Sequence, residues 1–314
     1  MNVFKILLAT CLMGISGAVM AQDNVALPFL QLNPDVRTAG MGNITIAGSN
    51  GSFIYSDPTA TLNENPGKLS ASYSIGIYPA SAEGRQLFNT LSLSYRLDDR
   101  HAILAGARLL NGLSVDIING VGQIGSFRPT DYSLDLGYAF SPWDRVSIYG
   151  VGSYINAYNG ATAHVALLSV GAYYRDATLI ANQSFNYQVG GSVDHVGTKV
   201  RYGSDGVGVQ PPSSIRISAS TETELSCDAQ LGFGVATRYI FARDNAHTIG
   251  VSAGTELLLW QTLALRAGYH AQSEAPYGSL GLGFQWRGIF FDVAYLMPVE
   301  PAYRSLRIGL GINF

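Results

Sequence analysis

Charge is what this 314-residue sequence has least of. Asp, Glu, Lys and Arg make up 13% of it, about half of the ~25% usual in a soluble domain. Hydrophobic residues make up 47%, which excludes a disordered chain, because such chains are apolar-poor and charge-rich. A net charge of −3 argues against a nucleic-acid partner, since phosphate binding needs clustered Lys and Arg. The 36 glycines follow no three-residue period, so the chain is not collagen-like. After residue 22 no apolar run reaches helical-span length, which excludes a transmembrane helix in the mature chain.

Cysteine is scarce as well, with only Cys11 and Cys227. Lys5 precedes an apolar or small run from Ile6 to Met20, and Val19 and Ala21 occupy the −3 and −1 positions of a signal-peptidase site. This pattern predicts a leader over residues 1–21, cleaved after Ala21, and export. Cleavage leaves Cys227 alone, so no intrachain disulfide, cysteine zinc site or redox pair can form.

What the sequence has instead is alternation. Tyr132, Leu134, Leu136, Tyr138 and Phe140 alternate with Ser133, Asp135, Gly137 and Ala139. A period of two with one greasy and one small or polar face is a strand. The pattern returns at Tyr73–Ile77, Thr90–Leu97, Ala166–Tyr174 and Ile215–Ile217. It continues over Gln230–Ile240, Thr248–Trp260, Leu263–His270, Tyr277–Trp286, Gly288–Met297 and Arg304–Phe314. Turn-forming residues separate these runs, among them Asp98-Asp99, Ser141-Pro142-Trp143-Asp144, Arg243-Asp244-Asn245 and Ser273-Glu274-Ala275-Pro276. With ~9–11 residues per spanning strand plus turns, residues 69–314 hold about 14 strands.

The face opposite the large apolar residues is mainly Ser, Gly, Ala and Asn, not the Lys, Glu and Thr of a water-facing sheet. That suits a barrel lumen opposite lipid, with Trp143, Trp260 and Trp286 as interfacial aromatics. The last strand ends Leu310-Gly311-Ile312-Asn313-Phe314. Leu310, Ile312 and Phe314 resemble the carboxy-terminal insertion signal that the barrel-assembly machinery of Gram-negative bacteria reads. The expected fold is therefore all-β: a transmembrane antiparallel barrel over 69–314, multi-pass in outer-membrane lipid.

Residues 22–68 read differently. Asn33-Pro34-Asp35-Val36-Arg37-Thr38-Ala39-Gly40-Met41-Gly42 places Pro, Gly and charges at turn positions, and a glycine loop follows at Gly48-Ser49-Asn50-Gly51. Asp57 and Pro58 read as the N-cap and first position of a short helix. Such an ordered segment is expected as a plug or hatch in the lumen, with a periplasmic arm as the alternative.

Pro28 to Gly42 resembles the opening signature of the PorV/PorQ family, outer-membrane barrels related to the FadL fatty-acid channels, and the match to PorV is the closer. His195-Val196-Gly197-Thr198-Lys199-Val200-Arg201-Tyr202, Pro211-Pro212, Leu265-Arg266-Ala267-Gly268-Tyr269, Leu280–Phe284 and Phe291–Tyr295 are similar too. The family's Asn-Pro-Ala triplet stands here as Asp57-Pro58-Thr59. The resemblance implies a non-enzymatic role in type IX protein secretion. The partners it implies are the translocon, cargo carrying folded C-terminal signal domains, or a surface sortase complex. Candidate rim contacts are the stretches 111–130 and 204–212. A FadL-like passive channel for hydrophobic small molecules is the competing reading, and it needs an apolar pocket where the inward positions read small and polar.

No catalytic, metal or cofactor site is expected. His101, His164, His195, His247 and His270 sit in separate strands or turns, and the neighbours Asp194 and His195 point to opposite faces of a strand. Asp135 and Asp292 are expected to face a hydrated lumen, with pairing to arginines such as Arg266 or to Arg37 of the plug as the alternative.

Overall fold

Alternation decides the architecture. In the computed structural model, which describes residues 26–46, 50–63, 67–119, 122–180, 183–203, 206–241, 247–273 and 276–314, the alternating runs are strands. They are β1 (Leu69–Ser81), β2 (Gly84–Arg96), β3 (His101–Asn111), β4 (Val115–Asn119), β5 (Gly122–Phe127), β6 (Thr130–Trp143), β7 (Val146–Tyr158) and β8 (Thr162–Ile180). The second half supplies β9 (Gln183–Gly197), β10 (Ser214–Ser226), β11 (Ala229–Phe241), β12 (His247–Leu259), β13 (Leu263–Gln272), β14 (Tyr277–Trp286), β15 (Ile289–Pro298) and β16 (Ser305–Asn313). The expected leader with its cleavage site, part of the glycine loop (47–49) and the turn at 243–245 lie outside the described residues.

Fourteen strands close one barrel of antiparallel neighbours, and β4 and β5 pair only with each other as a separate hairpin. Closure runs from Ser70 opposite Asn313 to Ile77 opposite Leu306. Leu69 and Phe314 add reciprocal backbone hydrogen bonds at 3.1 and 2.8 Å. Closure leaves no barrel strand with an unpaired edge, which a hydrocarbon environment requires.

The two faces sort as the alternation demands. Leu136 is 72% exposed on the outer face, whereas its neighbour Asp135 is 2% exposed inside. In β16 Leu306, Leu310 and Phe314 point outward, and Ser305, Arg307 and Asn313 are buried inside. β3, β7 and β9 are strands that the sequence pattern did not single out.

The two ends of the barrel differ. Short turns at 97–100, 144–145, 227–228, 260–262 and 287–288 share the end where the barrel's first and last residues meet. The turn into β15 has positive φ at both Arg287 (49°) and Gly288 (83°), the backbone of a tight hairpin matched to strand twist. Trp143, Trp260 and Trp286 all stand exposed at this end, and the Arg287 guanidinium lies 4.7 Å from the centre of the Trp286 ring. The opposite end carries the longer connections at 112–129, which holds the β4–β5 hairpin, and at 198–213 and 299–304. Outer-membrane barrels show this asymmetry, with short turns on the periplasmic side and longer loops outside.

The chain before β1 forms short helical pieces: a 3₁₀ turn at Pro28–Gln31, α1 (Val36–Ala39), a second 3₁₀ turn at Phe53–Tyr55, and α2 (Ala60–Asn63). Phe29, Met41, Ile44, Ile46 and Phe53 in it are all at most 2% exposed. Their burial comes from packing against the inward-facing side chains of the wall.

Candidate functional site

The N-terminal segment and the inner wall form the most elaborate polar site in the described residues. It starts at Asp35, which caps α1: its carboxylate accepts from the Thr38 N–H at 2.9 Å and the Thr38 hydroxyl at 2.5 Å. The other oxygen accepts from the Ser52 N–H at 2.8 Å. One side chain thus starts a helix and ties residues 35 and 52 together.

Capping fixes the direction of α1 and therefore of Arg37. Arg37 makes a bidentate pair with Glu256 on β12, Nη2 to Oε1 at 2.6 Å and Nε to Oε2 at 3.0 Å. Its Nη1 donates to the Ile46 carbonyl at 3.1 Å. Arg266 on β13 donates to Glu256 at 2.6 Å and to Asp292 on β15 at 2.5 Å. All four side chains are at least nine-tenths buried. Burial opposes the charge on Arg37, but the facing Glu256 carboxylate more than offsets it and holds the guanidinium pKa above its ordinary range. In a buried chain of this kind, loss of one member leaves an uncompensated charge, which costs about 3–5 kcal/mol.

Beside the ion chain the backbones approach closely. A Cβ on Gly254 or Gly268 would overlap the Met41 carbonyl, and one on Gly42 would lie 2.6 Å from the Tyr269 nitrogen. Gly254 and Gly268 face each other across β12 and β13. Gly42 itself has φ +67°, which glycine adopts without strain, and its N–H donates to Ser279 at 2.8 Å. Gly40-Met41-Gly42 is therefore a turn that fits a glycine hollow in the wall.

The opposite wall is apolar. Phe53, Ile54, Ala60 and Leu62 pack on Ala102, Leu104, Ala139 and Val151. Towards the long-loop end, Leu27, Phe29 and Leu30 pack with Phe88, Leu110, Ile155, Val165 and Leu167. The expectation of mainly small, polar inward positions fails on one side, because the inner faces of β3, β7 and β8 carry bulky aliphatics under the segment. Two polar anchors interrupt this side. Asp135 accepts from Arg108 at 3.0 Å, Ser133 at 2.9 Å and the Tyr55 hydroxyl at 2.7 Å. Burial pushes the Tyr55 phenol well above its usual range, so it stays a neutral donor. Asp57 binds Arg175 and accepts from Gln188 at 2.9 Å.

The residues singled out in sequence fall as follows. Asp35, Arg37, Gly40, Met41 and Gly42 meet the β12–β15 wall, and the Pro34 carbonyl accepts from Ser74 at 2.9 Å. Asp57 takes the Thr59 N–H at 2.9 Å, and Pro58 lies in the turn before α2, which starts at Ala60. Asp292 is buried and pairs with Arg266, the alternative to a hydrated lumen carboxylate. Arg37 chooses Glu256 and Asp135 chooses Arg108, and neither partner was foreseen. Leu310, Ile312 and Phe314 lie on the outer face of the closing strand, away from this site. Among the histidines, His270 bonds Ser252 at 2.8 Å and Gln272 at 3.1 Å, an arrangement with no carboxylate in it.

At the long-loop rim the stretch 111–130 is the hairpin β4–β5, tethered by the Ser114 N–H to the Glu83 carbonyl at 3.1 Å. Val115 and Ile117 on it are exposed, as is Val207 in the second rim stretch. Residues 204–205 of that stretch lie outside the described residues.

Residues 20–244 match the family model described as type IX secretion system protein PorV. No curated protein matches the chain in sequence. Among solved structures, the Ralstonia pickettii toluene transporter TbuX is similar with a TM-score of 0.58 at 11% identity, covering 90% of this chain and 98% of its own. The P. putida toluene transporter TodX gives 0.52 at 13% identity, with 88% and 97% covered. The CymD monoaromatic hydrocarbon channel gives 0.53 at 14%, with 90% and 98% covered. At such identities the likeness is one of fold alone.

Proposed function

The chain belongs to the PorV family of type IX secretion system proteins, and on that premise we propose that it is a non-enzymatic outer-membrane component of type IX protein secretion. Its role is to hold the folded C-terminal signal domain of cargo, or to anchor the surface sortase complex, at the long-loop rim of the barrel. Residues 22–68 act as a plug, residues 69–314 as the membrane barrel, and residues 1–21 as a leader cleaved on export. The carboxy-terminal Leu310, Ile312 and Phe314 serve barrel insertion.

The observation that carries this reading is the division between the two ends. The interior is occupied by the chain's own segment, held by the Arg37–Glu256 pair and by apolar packing, so the accessible recognition surface is the rim. That rim carries a hairpin with exposed Val115 and Ile117, a backbone edge suited to pairing with a β-sandwich domain. The competing channel reading needs an apolar pocket, and the apolar inner positions near the rim are taken by Leu27, Phe29 and Leu30.

The test is a pull-down of the tagged protein from solubilised outer membrane, with co-purifying proteins identified by mass spectrometry. Recovery of a translocon barrel, a sortase-like protein or cargo with type IX signal domains supports the proposal, and shortening 115–127 to a tight turn should reduce that recovery. A barrel that brings down only lipid or small apolar molecules transfers the assignment to a passive channel.

A further inference from the structure

Four interior arginines each have a carboxylate: Arg37, Arg266, Arg108 and Arg175 pair with Glu256, Asp292, Asp135 and Asp57. Arg307 instead donates to the Asn33 carbonyl, and among the described residues Arg216 and Arg238 also lack a paired carboxylate. Arg216 and Arg238 stand directly opposite each other on β10 and β11, and both line a cavity of about 80 Å³ between the N-terminal segment and the wall. Like charges directly opposite across a strand pair are destabilising, and burial removes the water that screens them. Arg238 is only 9% exposed. Its Nε donates to Ser214 at 2.9 Å, and among the described residues its remaining N–H groups have no acceptor and neither arginine has an ion pair.

The rest of the lining does not cancel the excess. Three arginines (108, 216, 238) face two carboxylates (Asp135, Asp194), and Asp135 is already held by Arg108. Asp194 accepts from Ser192 at 2.9 Å and is the one carboxylate left to offset both Arg216 and Arg238. The ring nitrogen Nδ1 of His195 is buried without a partner; a φ of 58° at His195 breaks the strand alternation, so Asp194 and His195 border one cavity and not the opposite faces expected. One water needs about 10–15 Å³ of such space, so the cavity admits a small ion with some hydration. Guanidinium groups match the oxygens of phosphate or carboxylate in a two-point fork.

We propose that this cavity is a binding site for a small oxyanion of the phosphate or carboxylate class, held by Arg216 and Arg238 and bordered by His195. Because Asn33 and Asn43 of the N-terminal segment also line it, the bound anion joins that segment to the β9–β11 wall. The inference stands independently of the secretion role. The anion's source is either a free ion or the head of a membrane lipid, and the shared chemistry is the oxyanion.

The test uses the full chain in an uncharged detergent, titrated with inorganic phosphate by calorimetry after extensive dialysis. Saturable binding is expected in the wild type. Arg216→Gln and Arg238→Gln should each weaken it at least tenfold, and Arg304→Gln, exposed before β16, should leave it unchanged. In phosphate-free buffer Arg216→Gln should melt no lower than the wild type, because it relieves the like-charge pair, so this variant decides the matter if Arg238→Gln misfolds. Native mass spectrometry of freshly extracted protein then separates the sources. A phosphate-mass adduct points to the free ion, and a lipid adduct lost in Arg216→Gln points to a headgroup on the same arginines. Absence of saturable phosphate binding together with absence of either adduct overturns the site, as does equal phosphate affinity in Arg216→Gln.

Discussion

The N-terminal segment meets two walls of opposite character. Against β12–β16 it is held by charge and close backbone approach: Arg37 on Glu256, Gly40-Met41-Gly42 in the glycine hollow, Arg307 on the Asn33 carbonyl. Against β3 and β6–β8 it is held mainly by apolar volume, with Phe53, Ile54 and Leu62 on Leu104 and Val151, and Phe29 among Ile155, Val165 and Leu167. Charge pairs and backbone contacts are directional and fix a position to within a few tenths of an ångström. Apolar burial is non-directional and scales with area. The first wall fixes the position of α1 and of the Gly40–Gly42 turn, and the second adds apolar burial along residues 27–30 and 53–62.

Removing Arg37 tests the directional wall with the largest expected effect. Arg37→Ala should loosen residues 35–46 by about 3–5 kcal/mol, the usual cost of stranding a buried partner, while the closed barrel persists. Limited proteolysis should show new cleavage there with heat-modifiable gel mobility retained, and unchanged protection would count against the ion chain as the holding element. Phe53→Ala is the counterpart on the apolar wall, at about 3 kcal/mol, with new cleavage confined to 50–63. If either variant opens both stretches equally, the segment is one cooperative unit and the two-wall division fails. Gly268→Ala puts a methyl against the Met41 carbonyl and should cost about 1–3 kcal/mol, read as a lower melting temperature of the segment with the barrel melt unmoved. Asp35→Ala is the mildest, about 1 kcal/mol for a lost cap. Because Asp35 also holds Ser52, hydrogen exchange should quicken on both sides of it, and a change at residues 36–39 alone would show that the tie to Ser52 carries no weight.

How much of this could be read in sequence follows from the range of each interaction. β6 and β16 announced themselves because Leu and Tyr alternate with Ser, Asp and Gly within a single strand. β7 did not: its outer face includes Gly150 and Gly152, and its inner face carries Tyr149, Val151 and Ile155 under the segment, so the contrast between faces collapses. β3 has the same weakness through Ala105 and Ala107. Arg37 was recognisable as a candidate for a lumen pair, and Asp292–Arg266 as a pair. Glu256 lies 219 positions from Arg37, and its role depends on barrel register. The capping role of Asp35 was legible in principle, since Asp is a favoured N-cap residue, but the Pro and Gly around it read as turns. Arg216 opposite Arg238 is likewise a register fact that spacing alone does not expose.

The Arg37–Glu256 pair also imposes an order in time. Arg37 lies early in the chain, while Glu256, Arg266 and Asp292 are made late, beyond residue 244 where the family match stops. A chain interrupted before β12 has the guanidinium and the capped helix but no carboxylate to receive them. The chain of ion pairs from Arg37 through Glu256 and Arg266 to Asp292 therefore closes only when β12, β13 and β15 are all present.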